Sequence, residues 1–204
     1  MASILVVCTG NICRSPMAEG FLRRELQARF ADGGPAVLSA GTIGWESSPA
    51  VGESVEAASE RGSDIRGHRA RVLEPELIVA ADLVIGMTTE HADATIAMVP
   101  QSRSRSFTLK EAVRLLEELP ALQPMGPFDE GTLKARVKQA HALRVDGFEG
   151  NPYDEDVVDP LGLPVETFRA VAWEVDTMCM RLVDGLFGAR DTAAMSETSE
   201  EPGL

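Results

Sequence analysis

Short apolar runs alternate along the chain with segments of helical periodicity. Residues 4–7 contain no polar side chain, which is typical of a strand buried in a parallel sheet. A helix is predicted over 17–30, and a second strand over 36–39 follows a Gly-Pro turn. Because strands and helices keep alternating, the pattern predicts an α/β fold with right-handed crossovers.

The same alternation continues beyond the second strand. A helix with apolar residues at regular spacing is also predicted near the end of the chain. The fold class predicted is α/β, with three layers and a four-stranded parallel sheet flanked by helices. The further predicted elements are helices over 51–61, 75–81, from 89, over 110–119 and over 165–187, with strands over 82–87 and 104–107.

Residues 120–155 interrupt this pattern with several prolines and glycines and one predicted helix near 130–144. Two interpretations stay open: a solvated surface excursion, or one side of a binding-site mouth. No internal repeat is visible, so residues 1–187 are predicted to form one domain. Residues 188–204 lack apolar periodicity and are predicted to be a disordered acidic tail.

Composition narrows the functional classes. The 204 residues carry a formal net charge of −13, which disfavours nucleic acid and anionic membranes as partners. No apolar run approaches membrane-spanning length. Three cysteines in an acidic chain without a signal-peptide pattern predict a reducing, cytoplasmic location. We expect a monomer or weak dimer.

The candidate chemistry lies in residues 7–16, Val-Cys-Thr-Gly-Asn-Ile-Cys-Arg-Ser-Pro. They join the first strand to the first helix, with Ser15 predicted as N-cap and Pro16 at the first helical position. Such a turn directs backbone N–H groups and the helix dipole at one point, which makes an anion site. The predicted phosphate-binding residues are Thr9, Gly10, Asn11, Ile12, Cys13 and Ser15.

Each position in this loop has a chemical reason. Cys8 stands at its start, where N–H donors and Arg14 stabilise a thiolate nucleophile. The guanidinium of Arg14 can bind two phosphate oxygens at once. Gly10 permits a positive φ and a close approach of the backbone to the ligand, while Asn11 can take up left-handed geometry and pin the loop from inside. The hydroxyl of Ser15 can donate a hydrogen bond to the sulfur.

Less specific interpretations exist for the same residues. A cysteine after a buried strand is commonly a small core residue. The loop lacks the Gly-Lys-Ser/Thr ending of a nucleotide P-loop, and Cys8 with Cys13 alone do not make a zinc site. The whole string at a strand–helix junction resembles the phosphate loop of bacterial low-molecular-weight protein tyrosine phosphatases. The resemblance covers about 3–119 and 156–187.

The resemblance implies the three-layer fold of that family, without cofactor or metal. It implies that Trp45 forms one wall of the slot for the substrate's ring, although a tryptophan in a loop is more often a buried plug. It also implies that Ser39 hydrogen-bonds the loop asparagine and that His68, in a His-x-Ala-Arg segment, supports the loop from behind.

Asp159 precedes Pro160, which favours extended backbone and a projecting carboxyl. Asp-Pro pairs also occur in ordinary turns. The family, however, carries its general acid in such a pair just before the last helix. Asp154 and Asp156 are nearby rivals, but neither precedes a proline.

The resemblance implies a protein phosphotyrosine phosphatase that works through a phosphocysteine intermediate, with Cys8, Arg14 and Asp159 as catalytic residues. A protein-arginine phosphatase is the first alternative. That subfamily tends to have a small hydroxylated residue at the position of Ile12, whereas Leu161-Gly162, in place of the usual tyrosines, leaves it open. A thiol arsenate reductase needs further cysteines near 80–90, and none is there. A non-enzymatic anion-binding or phosphopeptide-binding module is the last alternative.

Overall fold

The computed structural model describes residues 2–123, 126–148 and 155–189. Within them, a single parallel sheet is built from β1 (Ser3–Cys8), β2 (Ala36–Gly41), β3 (Leu83–Gly86) and β4 (Ser106–Thr108). The strand order is β2-β1-β3-β4, so the strand that leads into the candidate loop is an inner one. The predicted fold class is confirmed.

Helices cover both faces of this sheet. Residues of β1 alternate between the faces, as the strand repeat requires. Ile4 and Val6 belong to the larger core, and Leu5 and Val7 belong to the smaller one, which Ile78 closes. The helices are α1 (Arg14–Phe30), α2 (Gly52–Glu60), α3 (Pro75–Ala80), α4 (Thr89–Met98), α5 (Leu109–Glu117), α6 (Glu130–Val145) and α7 (Val165–Phe187).

The first helix begins earlier than the sequence predicts. Cys13 is its N-cap, so Ser15 and Pro16 lie within the first turn and the predicted cap at Ser15 is wrong. The hydroxyl of Ser15 is instead turned toward the sulfur of Cys8, at 3.0 Å. The fourth strand is also displaced, because residues 100–105 form a 3₁₀ turn before Ser106.

The excursion over 120–155 contains the predicted helix, α6. Its described part is not a solvated surface excursion, because Leu133 is fully buried and Phe128 packs edge-to-face on Phe30 and Phe187. Arg136 is buried and donates to the carbonyl oxygens of Gly185, Pro120 and Leu116, which ties α6 to α5 and α7.

The predicted tail lies almost wholly outside the described residues, since residues 190–204 are not among them. The division into one domain and a tail therefore stays a prediction. Within the described ranges, no helix is both long and apolar enough to cross a membrane.

Candidate active site

The loop between β1 and α1 turns sharply at Asn11, whose φ is 53°. The left-handed geometry that the sequence allows at Asn11 is observed, because asparagine tolerates this region better than most residues, and Gly10 does not use the freedom that glycine offers. Gly10 serves another purpose, since a Cβ at that position would lie 3.1 Å from Cδ1 of Trp45. The absence of a side chain lets the indole approach the loop.

A second glycine, Gly41 at the end of β2, allows the loop to lie against the sheet. A Cβ there would stand 2.8 Å from the Thr9 carbonyl oxygen and 3.0 Å from the Asn11 nitrogen. Both are backbone atoms, which cannot move aside without distorting the loop. Any larger residue at position 41 would therefore displace the anion site.

The sulfur of Cys8 is surrounded by hydrogen-bond donors. It accepts from the backbone N–H of Asn11 at 3.3 Å and lies 3.0 Å from Oγ of Ser15. Ser15 Oγ itself accepts from Nδ2 of Asn11 at 2.8 Å. The proton of this hydroxyl is therefore free to point at the sulfur, which stabilises negative charge there.

The side chain of Asn11 is fully buried and all its polar capacity is used. Nδ2 donates to Ser15 and, at 2.7 Å, to Oγ of Ser39, while Oδ1 accepts from the backbone N–H of Arg71 at 2.9 Å. Ser39 in turn donates to the carboxylate of Glu19. Donation therefore runs outward from the Asn11 amide in two directions, to Ser39 and on to Glu19, and to Ser15 beside the sulfur.

His68 holds the same residue from behind. Its Nε2 lies 2.8 Å from the carbonyl oxygen of Asn11, and because a carbonyl only accepts, Nε2 carries the proton. Burial lowers the pKa of His68, which the hydrogen bond to Asn11 partly offsets. Ser39 and His68 therefore both contact the loop asparagine, in the places that the resemblance implies.

Arg14 closes the other side of the loop. Its buried guanidinium donates to Oγ1 of Thr9 at 3.1 Å and to the carbonyl oxygen of Val157 at 3.2 Å, and it pairs with Oδ2 of Asp159 at 2.5 Å. The Nε–H of Arg14 is buried without an acceptor among the described residues. An anion at the loop would supply that acceptor.

Among the candidate acids, Asp159 stands at the loop. Its side chain is 44% exposed, and Oδ1 accepts from the backbone N–H of Leu161. Asp156 faces away, accepting from the N–H and hydroxyl of Thr89 at the start of α4. The third rival, Asp154, lies outside the described residues.

A buried histidine that the sequence analysis missed extends the site. Oγ1 of Thr9, which accepts from Arg14, also forms a hydrogen bond of 2.9 Å with Nε2 of His91. Nδ1 of His91 forms a second hydrogen bond, of 2.7 Å, with Oγ1 of Thr88. Burial, with the nearby charge of Arg14, lowers the pKa of His91 to about 4. The available signal was its place just after β3, whose carboxyl end adjoins that of β1.

These groups converge on a cleft of about 100 Å³. Trp45 is 46% exposed and forms a wall of the cleft, so it is not a buried plug. Cys13 is buried, and burial raises the pKa of its thiol to about 12. No described residue of 120–155 lines the cleft, so this part does not form its mouth. The lining residues are Cys8, Thr9, Gly10, Ile12, Cys13, Arg14, Ile43, Trp45, Asp159 and Leu161.

The predicted site residues thus fall into two groups. The loop residues with Trp45 and Asp159 line the cleft itself. Asn11, Ser15, Ser39 and His68 lie behind it and hold the loop in shape. Glu19, which no sequence signal singled out, completes this supporting group.

Comparisons with known proteins agree with this geometry. The chain is 31% identical over 183 residues to a protein-arginine-phosphatase from Geobacillus stearothermophilus, covering 90% of this chain and 95% of the relative. It is 39% identical over 105 residues to the low molecular weight protein-tyrosine-phosphatase Etp from Escherichia coli K12, covering 52% of this chain and 67% of the relative.

A solved low molecular weight protein tyrosine phosphatase from T. tengcongensis superposes with a TM-score of 0.66 at 31% identity, covering 90% of this chain and 99% of the other. The family model for low molecular weight phosphotyrosine protein phosphatases matches residues 3–125. That match includes the Cys8–Arg14 loop and all four strands of the sheet. The chain therefore belongs to the low molecular weight phosphotyrosine protein phosphatase family.

Proposed function

We propose that the chain hydrolyses phosphotyrosine on proteins through a phosphocysteine intermediate. The observation that carries this is the pairing of Cys8 with Arg14 across one loop. The sulfur accepts hydrogen bonds at the floor, and Arg14 offers a buried Nε–H that lacks an acceptor among the described residues. A phosphate monoester supplies an electrophilic phosphorus for the sulfur of Cys8 and an oxygen acceptor for the Nε–H of Arg14.

In the first step, the thiolate of Cys8 attacks phosphorus and the bond from phosphorus to the ester oxygen breaks. Asp159, in its protonated form, gives its proton to the departing oxygen. The guanidinium of Arg14 and the loop N–H groups bind the equatorial oxygens, where charge is held in the transition state. Asp159 already lies beside Arg14 and the cleft, so it needs no large movement to reach the leaving group.

In the second step, water attacks phosphorus and the phosphorus–sulfur bond breaks. Asp159, now a carboxylate, takes the proton from that water. The departing sulfur recovers its charge, which the hydroxyl of Ser15 and the N–H of Asn11 stabilise. Inorganic phosphate leaves and the thiolate is restored.

The walls of the cleft favour an aromatic ester. Ile12, Ile43, Trp45 and Leu161 give it apolar sides above the sulfur. A tyrosyl ring buries apolar surface between such walls and gains stacking against the indole. Leu161 supplies an aliphatic wall where the family often has tyrosine.

Phosphoarginine is the second candidate. The protein-arginine-phosphatase relative matches 90% of this chain, whereas Etp matches 52%. A guanidinium leaving group is cationic and would be attracted by the carboxylate of Asp159 at the rim. Ile12 opposes this substrate, because its stiff branched side chain narrows the cleft and offers no hydrogen bond.

The test compares hydrolysis of p-nitrophenyl phosphate, a phosphotyrosine peptide and a phosphoarginine peptide. Wild type should prefer the phosphotyrosine peptide in kcat/KM, and Cys8→Ser should hydrolyse none. Ile12→Thr should shift the ratio toward phosphoarginine. The second candidate would be favoured if wild type prefers the phosphoarginine peptide and Ile12→Thr leaves the ratio of the two kcat/KM values unchanged. Full activity of Cys8→Ser would overturn the proposed chemistry.

A further inference from the structure

A second and larger cavity, of about 550 Å³, lies behind the phosphate loop. It is bounded by one side of α1 and by residues 62–71, on the far side of the loop from the catalytic cleft. Four arginines line it against two carboxylates. The charged lining residues are Arg23, Arg24, Arg69, Arg71, Glu19 and Asp64.

Two of these arginines are available for a ligand. Arg69 and Arg71 flank Ala70, which is buried, so in this extended segment their side chains share the opposite, outward face. Arg69 donates only to the carbonyl oxygen of His68 at 2.6 Å among the described residues, and the guanidinium of Arg71 contacts no acceptor there. Arg24, by contrast, is paired with Asp176.

The local charge contrasts with that of the whole protein. Asp64 points its charge to Arg66 rather than into the cavity, and Glu19 is already paired with Arg23. The cavity is therefore a concentration of positive charge in a chain of net charge −13. A cavity of this kind selects a multiply charged anion.

We propose that this cavity binds a small phosphate polyanion, of which diphosphate is the simplest example. Paired guanidinium groups match the planar, bidentate geometry of phosphate oxygens. The apolar lining is confined to few residues, such as Pro16 and Ile65, so it offers no stacking slot for a nucleobase. The anionic group should therefore carry the affinity.

The walls of the cavity also hold the catalytic loop. Arg71 donates its backbone N–H to Asn11, and His68 donates Nε2–H to the Asn11 carbonyl. The positive charges of Arg71 and Arg23 act to lower the pKa of His68, while Glu19 acts to raise it. An anion that neutralises these arginines favours protonation of His68, whose Nδ1 lies 3.9 Å from Glu19.

The binding experiment is calorimetric titration with pyrophosphate in the presence of a chelator. Wild type should show two binding events, one at the catalytic loop and one at the cavity. The double variant Arg69→Gln/Arg71→Gln should lose the second, with affinity reduced about tenfold or more. Arg169→Gln is the matched control, because this exposed arginine pairs with Glu56 and Glu60, lines no part of the cavity and should change nothing.

Arg14→Ala is the complementary variant, since it should remove only the binding event at the catalytic loop. If that variant does not fold, inhibition of p-nitrophenyl phosphate hydrolysis by pyrophosphate gives the same separation. Competition at the catalytic loop raises KM alone, whereas cavity binding changes kcat. A titration with ADP distinguishes nucleotides from inorganic diphosphate, and we expect ADP to bind no more tightly.

An independent readout is the proton NMR titration of the three histidines. Pyrophosphate should raise the pKa of His68 in wild type and in Arg169→Gln but not in the double variant. A single binding event that Arg14→Ala abolishes, or equal affinity in the double variant, would overturn the proposal. Binding at the cavity does not depend on the reaction; only its effect on kcat rests on the proposed function, which the Cys8→Ser assay tests separately.

Discussion

The substitution Asn11→Asp tests how the loop prepares the sulfur. The two side chains have the same shape, but the carboxylate has no hydrogens to donate. Asn11 donates to Ser15 at 2.8 Å and to Ser39 at 2.7 Å, and these donations leave the Ser15 proton free for Cys8. In the variant, Ser15 turns its proton to the new carboxylate, and the sulfur loses that donor.

The magnitude follows from the contacts. The sulfur keeps the backbone N–H of Asn11, at 3.3 Å, and loses the hydroxyl of Ser15, at 3.0 Å. A hydrogen bond to a charged acceptor contributes ~1.5–3 kcal/mol. Its loss corresponds to a decrease of roughly 10- to 150-fold in kcat. Repulsion between the new carboxylate and the thiolate acts in the same direction.

Two measurements separate this effect from a general loosening of the fold. The first is kcat for p-nitrophenyl phosphate, and the second is the rate of Cys8 alkylation by iodoacetamide at neutral pH. We expect both to fall in Asn11→Asp, because a less stabilised thiolate is scarcer. Partial unfolding would instead expose the thiol and accelerate alkylation.

Ser39→Ala is the matched control. It removes one acceptor of Asn11 and a donor to Glu19 but leaves the contact from Ser15 to Cys8. Its alkylation rate should stay close to that of wild type, with any cost appearing in stability. If Asn11→Asp retains kcat within about twofold and alkylates as fast as wild type, the hydroxyl of Ser15 does not activate the sulfur.

Three further outcomes are expected. Asp159→Asn should slow hydrolysis of phosphotyrosine by ~10²–10⁴-fold and affect aryl esters of low leaving-group pKa less, with Asp156→Asn as the control that stays active. Brief peroxide should inactivate wild type reversibly, since the thiol of Cys13 can displace water from a Cys8 sulfenic acid, a step slowed by the raised pKa of that thiol. Cys13→Ser should recover poorly with reductant, and a peptide map without a Cys8–Cys13 link would contradict this. The pKa of His91 falls from 6.5 to about 4 on folding. The free energy of unfolding should therefore be fully present above about pH 6.5 and should decrease by roughly 3 kcal/mol as the pH drops from 6.5 to 4. Urea unfolding of His91→Gln should show a weaker dependence on acid, and an identical dependence would remove His91 as its source.

The fold and the loop were predictable because both depend on local order in the chain. Apolar runs and helical spacing gave the strands and helices to within a few residues. Cys8 and Arg14 lie in one short segment between a strand and a helix, so their meeting requires no knowledge of tertiary packing. The place of Asp159 was predictable only through the resemblance, because its partner Arg14 is far away in sequence.

What escaped prediction depends on contacts between distant segments. Glu19 reaches the loop through Ser39 of β2, which no pattern indicates, and His91 is signalled only by its place just after β3. The sequence allows a positive φ at Gly10 or at Asn11, and it falls on Asn11, whose buried side-chain partners fix that conformation. The packing of residues 126–148 was missed because proline-rich segments without periodicity resemble solvated loops.

The ion pair between Arg14 and Asp159 has a consequence for the end of the catalytic cycle. Inorganic phosphate and the carboxylate of Asp159 are rivals for one guanidinium, which the carboxylate approaches to 2.5 Å. Every phosphate species, the product included, must displace the carboxylate of Asp159 from Arg14. The apparent affinity for phosphate is therefore reduced by the fraction of chains in which this ion pair is formed. In the proposed mechanism, the acid that begins the reaction is thus also an internal competitor of its product. By that mechanism we expect the ion pair to favour the departure of phosphate and to weaken inhibition by inorganic phosphate.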